Sequence, residues 1–105
     1  NKGWGTRILC NEAVRVACGD AIIFRAVDVA TVRGKTEILR IFEPLAPSDA
    51  PDAARLQAIA DHCDAGLRAI AANDIATARV AFTAVLAVAS NDTVAAEHLR
   101  RLPAA

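Results

Sequence analysis

Four groups of side chains in this 105-residue chain have the types and spacing to do chemistry. Arg33 and Lys35 flank Gly34, which puts two cations on a turn, a placement suited to an oxyanion such as phosphate or to plain solvation. His62 and Cys63 lie between Asp61 and Asp64, all metal-ligand types, but adjacent helix positions point about 100° apart and converge poorly on one ion. Glu97 beside His98 has acid–base character, yet no nucleophile accompanies the pair, and His98 reads as a surface residue. Cys10, Cys18 and Cys63 are an odd set with no CxxC spacing, the pattern of reduced thiols in a cytosolic protein.

The elements that must position the Arg33–Lys35 turn are the apolar runs on either side of it. Residues 22–32 and 36–42 are rich in Ile, Val, Phe and Thr, so they read as the arms of a hairpin whose turn takes its unusual φ from Gly34. In the first arm Phe24, Val27, Val29 and Val32 supply the apolar positions, and the period of two slips near Asp28, where a bulge would restore it. The return arm carries apolar groups on both faces (Ile38 and Phe42 on one, Leu39 and Ile41 on the other), which calls for cover on both.

Upstream, residues 6–10 read as a short buried strand, and Asn11 as the N-cap of a helix over residues 12–18 that Gly19 ends. Trp4, in a glycine-broken lead-in, is expected to cover a core edge.

Downstream the composition changes. Pro44, Pro47, Ser48 and Pro51 read as a linker, with the boundary at residues 46–51, and alanine dominates from there on. Leu56, Ile59, Ala60, Cys63, Leu67 and Ile70 make one helical stripe. Asn73-Asp74 breaks it and caps a second, with Ile75, Ala78, Phe82, Val85, Leu86 and Ala89. Ser90, Asn91 and Asp92 introduce a third, with Val94, Ala95, Leu99 and Leu102. Gly66, Ala78 and Phe82 resemble the small and aromatic positions of a tetratricopeptide repeat of about 34 residues, though large aromatics are missing from the first helix. One repeat is too few for a free-standing solenoid. If Leu67, Ile70, Phe82 and Val85 face the β part or each other, the helices shield the sheet; an open apolar groove would instead mark a docking module.

Composition narrows the classes. The formal net charge is zero, at +2 over residues 1–43 and −2 over residues 44–105, so a nucleic-acid surface is disfavoured. No apolar run reaches the roughly 20 residues needed to span a bilayer, and a soluble, cytoplasmic portion is expected. The chain starts at Asn1 and contains no methionine, from which we expect a portion of a longer protein.

Four stretches in order carry a family resemblance: Thr6-Arg7-Ile8-Leu9-Cys10-Asn11-Glu12-Ala13, Phe24-Arg25-Ala26-Val27-Asp28, Val32-Arg33-Gly34-Lys35 and Ile41-Phe42-Glu43-Pro44-Leu45. Together they resemble the C-terminal end of the class III adenylate/guanylate cyclase catalytic domain, whose strands read like TRILVSEAT, FRxLGxVxVKGK and VxVYEL. The resemblance spans residues 1–45. It implies an α+β fold: a partial, ferredoxin-like cyclase unit of β-hairpin and helix, followed over residues 52–105 by the helical hairpin resembling a tetratricopeptide repeat.

For the intact parent the resemblance implies a phosphorus–oxygen lyase of cyclic-nucleotide signalling, converting ATP or GTP to the 3′,5′-cyclic nucleotide and pyrophosphate at sites shared by a homodimer. The family's two Mg²⁺ ions sit on aspartates that this chain does not contain. The chain alone is therefore expected to be inactive. The first basic residue of the family's VKGK turn, a phosphate contact, maps to Arg33, where a forked guanidinium replaces an ammonium; the second maps to Lys35. The competing class is a protein-interaction or dimerisation module on the helical part, with no catalytic role.

Overall fold

Asn11 marks the first switch of structure, because its side chain accepts the Val14 N–H at 3.0 Å and satisfies one of the donors that a helix start leaves open. It closes the two-residue strand β1 (Cys10–Asn11) and caps α1 (Glu12–Cys18). Gly19, at φ 57°, ends α1 in a conformation that side-chain-bearing residues avoid. The computed structural model describes residues 4, 5, 8–31 and 38–104.

After a 3₁₀ turn (Gly19–Ala21), β2 (Ile22–Thr31) and β3 (Ile38–Pro47) pair antiparallel as the two hairpin arms. The sheet has the order β1-β3-β2, and with α2 (Ala53–Ala71), α3 (Ile75–Val88) and α4 (Thr93–Arg101) the fold is α+β. A bulge falls where the period slips. Ala26 faces Phe42 and Asp28 faces Ile41, so Val27 is the extra residue. A second shift places Ile23 opposite Ala46 and Phe24 opposite Pro44.

Two strand expectations need correction, and one residue explains both. The strand foreseen over residues 6–10 is, among the described residues, only Cys10–Asn11, with Ile8 61% exposed. Continuing the Cys10↔Phe42 register would set Ile8 against Pro44, which has no N–H to offer. Pro44 and Pro47, read as linker, belong instead to β3. With β1 absent from that stretch, β3 has one described neighbour there, and an edge tolerates proline.

The return arm is also less covered than expected. Phe42 is buried, with the Arg15 guanidinium 5.1 Å from its ring centre on the α1 side, and Ile41 packs toward Trp4, Val27 and Val94 on the other. Ile38 and Leu39 remain exposed, at 61% and 44%.

The helical part follows its caps. Asn73 adopts φ 58°, and the Asp74 N–H bonds to the Ala69 carbonyl while the Asn73 N–H bonds to that of Ile70, the paired bonds of a Schellman ending. Asp74 and Asp92 cap α3 and α4 through the N–H groups of Thr77 and Ala95. Ile59, Cys63, Leu67, Phe82, Val85 and Ala95 form one core, against which Ala26 of β2 also packs. The helices thus close onto the sheet and onto each other.

Candidate functional site

Arg25 alternates inward on β2, opposite Glu43 on β3, and its side chain is 5% exposed. Burying a guanidinium requires paired anions. Its Nη2 lies 2.7 Å from Glu43 Oε1, its Nε donates to the same oxygen at 2.8 Å, and its Nη1 lies 2.7 Å from Asp92 Oδ1. Asp92 serves two elements at once, since its other oxygen accepts the Ala95 N–H and starts α4. Burial alone would lower the Arg25 pKa, but the Asp92 and Glu43 carboxylates reverse this and hold it above the usual value. The Arg25 Nη1 also approaches Cys63 Sγ at 4.0 Å. Burial nonetheless pushes the Cys63 thiol up to about 11, so it is no nucleophile near neutral pH.

His98 is the second buried polar group, 4% exposed, and this corrects its reading as a surface residue. It lies on the same face of α4 as Val94 and Ala95, three and four residues earlier, which turns it inward. Its ring stacks on Phe82 (centroids 4.5 Å apart) and tilts against Trp4 at 4.6 Å. Its Nε2 lies 2.7 Å from the carbonyl of Val27, the extra residue of the bulge. A carbonyl only accepts, so this nitrogen carries the proton. Glu97 is not its acid–base partner. Hydrogen bonds from Arg100 and Arg101 engage that carboxylate and hold it down to about 2.

Burial lowers the His98 pKa below its ordinary value of 6.5, the hydrogen bond to Val27 opposing only in part. Below pH 6.5 the unfolded chain takes up this proton more readily than the folded chain. The stability contributed by neutral His98 is therefore fully present above that pH and is lost as pH falls below it through the lower folded-state pKa. The urea midpoint is expected to drop between pH 7.5 and 5.5, and His98→Gln to flatten that dependence. An equal drop in the variant would assign the effect to other groups.

Between the sheet and the helices lies a groove of about 520 Å³, with Ala26 and Val29 of β2 on one side and Leu67 and Ile70 of α2 on another. Leu67, Phe82 and Val85 point into the core, as a shield requires, whereas Ile70 is left at this opening. Arg33 and Lys35 lie outside the described residues; the last described pair before them is Thr31↔Ile38. Among the described residues no group of three or more His, Cys, Asp or Glu side chains is placed to hold a metal ion, so no step is assigned to Mg²⁺ on this chain. No described helix is long and apolar enough to cross a membrane. No family model matches the chain, and neither a curated protein nor a solved structure matches it.

Proposed function

We propose that the chain is the hairpin end of a class III nucleotide cyclase catalytic unit, with residues 52–105 as a helical extension docked on its sheet. The observation that supports this reading is the order in which the resembling stretches meet structure. The first enters β1 and opens α1, Phe24–Asp28 falls in β2, and Ile41–Leu45 falls in β3, paired antiparallel. In this reading Arg33 holds the nucleotide triphosphate. Its cation gains most as the leaving pyrophosphate accumulates charge. The two Mg²⁺ ions, the ATP- or GTP-selecting groups and the partner half of the homodimer come from outside this chain. Such a unit acts in the cytoplasm.

In the intact parent, Arg33→Ala is expected to lower cyclic-nucleotide formation by about 2–3 kcal/mol of transition-state stabilisation. Arg33→Lys should recover most of the loss, and removal of the Lys35 charge should matter less, because the resemblance gives the phosphate contact to the first basic residue of the motif, which is Arg33. Unchanged turnover in Arg33→Ala would overturn the assignment.

The interaction-module reading draws on the helical hairpin, where Phe82 lies directly over Gly66 and Ala78 is fully buried, as in a tetratricopeptide unit. Most of its apolar stripe is already spent on the other helices and on Ala26 of β2, which favours the shielding role.

A further inference from the structure

Two of the three cysteines meet at one interface, the one between α1 and the sheet. Cys10 on β1 is paired directly with Phe42 on β3, and directly opposed residues of an antiparallel pair project to the same face of the sheet. That face is the one α1 covers, because the Arg15 guanidinium sits over the Phe42 ring. Cys18 follows Arg15 by three positions, the spacing that puts two side chains on one side of a helix. Within α1 only Arg15 and Cys18 are half-buried, and the other residues are exposed. The side of α1 turned to the sheet therefore carries Cys18, and the side of the sheet turned to α1 carries Cys10.

Both thiols are free and partly open to solvent, unlike Cys63, which is fully buried. They are near enough for one to act on the other: burial, and then the Cys18 thiol, push the Cys10 pKa above its ordinary value. A disulfide needs Cα atoms about 4.4–6.8 Å apart, so bridging draws the last turn of α1 toward β1. Little resists that movement. No residue of α1 is buried, and Gly19, directly after Cys18, has open space around it.

We propose that Cys10 and Cys18 form a peroxide-responsive dithiol, which closes reversibly to a disulfide and ties the end of α1 to β1. This device is independent of the cyclase reading. The Cys18 thiolate attacks a peroxide oxygen, the O–O bond breaks and water leaves, giving a sulfenic acid. Cys10, which its raised pKa suits less to the first attack, then attacks that sulfur. The S–S bond forms, the S–O bond breaks and a second water leaves, so two thiols are oxidised while one hydrogen peroxide is reduced to water. A small thiol such as glutathione restores both groups by exchange and is itself oxidised to its disulfide.

The test treats the whole folded chain with hydrogen peroxide, then unfolds it, alkylates the remaining thiols and maps the tryptic peptides. Each chain should lose the mass of two hydrogens, peptide 8–15 should appear linked to peptide 16–25, and Cys63 should be recovered alkylated. Dithiothreitol should reverse the link. Cys10→Ser and Cys18→Ser should each abolish it, and circular dichroism would verify that both variants fold. In amide NMR, oxidation should shift residues 10–22 and leave α2 and α3 in place. An unreactive pair, a bridge that includes Cys63 or a second chain, or oxidation of both thiols without a link would overturn the proposal.

Discussion

Arg25→Ala is expected to lower the unfolding free energy by about 3–5 kcal/mol, a large share of the roughly 5–15 kcal/mol available to a small domain. The loss does not measure the attraction in the ion pairs. It measures what remains when the guanidinium goes: Glu43 and Asp92, 17% and 11% exposed, facing each other with no cation between them. Truncation also opens a cavity beside Cys63. A triple variant, Arg25→Met with Glu43→Gln and Asp92→Asn, should recover most of the loss, because it leaves no buried charge and asparagine still caps α4. Urea unfolding followed by far-ultraviolet circular dichroism measures both. A loss below about 1 kcal/mol for Arg25→Ala would place the cluster with solvated surface pairs.

The second large effect is at the helix crossing. A Cβ added at Gly66 would stand 2.5 Å from two ring carbons of Phe82, far inside contact distance. Phe82 cannot retreat, since it is fully buried and stacked on His98. Gly66→Ala gains about 0.5–1 kcal/mol of helix propensity but overpacks the crossing by about 1–3 kcal/mol, so it should destabilise, and Gly66→Val more so. Phe82→Ala should cost about 3–5 kcal/mol through lost burial and the cavity left behind. The pair is coupled: Gly66→Ala with Phe82→Leu should be less damaging than the sum of the two single changes. Strict additivity would show that the ring and the glycine do not meet.

What could be read from the sequence was what is decided locally. Asn11, Asp74 and Asp92 were legible as helix starts because each cap bond spans only three residues, and the bulge near Asp28 was legible because the strand period slips there. Gly66, Ala78 and Phe82 were legible as packing positions from their spacing. The Arg25 cluster was not. Its partners lie 18, 38 and 67 positions away, and no local pattern selects Glu43 and Asp92 from the other carboxylates. The signal for His98 was present and missed, since it sits on the Val94 and Ala95 stripe of α4. Pro44 misled in the opposite direction, because proline breaks a strand only where a partner needs its N–H. The Arg33–Lys35 turn, which carries the phosphate assignment, lies outside the described residues.

The contact between the two distant ends of the described chain has an optical consequence. Trp4, the sole tryptophan, is 7% exposed and lies between the His98 ring at 4.6 Å and the Arg101 guanidinium, 4.4 Å from its ring centre, while its carbonyl accepts from the Thr93 hydroxyl. Those partners are all on α4, some 90 positions along the sequence. The indole emission therefore reports docking of α4 across the whole fold instead of events near Trp4 itself. A red shift that precedes loss of helical ellipticity during unfolding would time the release of α4 from the sheet as a step of its own, and coincident transitions would show that sheet and helices come apart together.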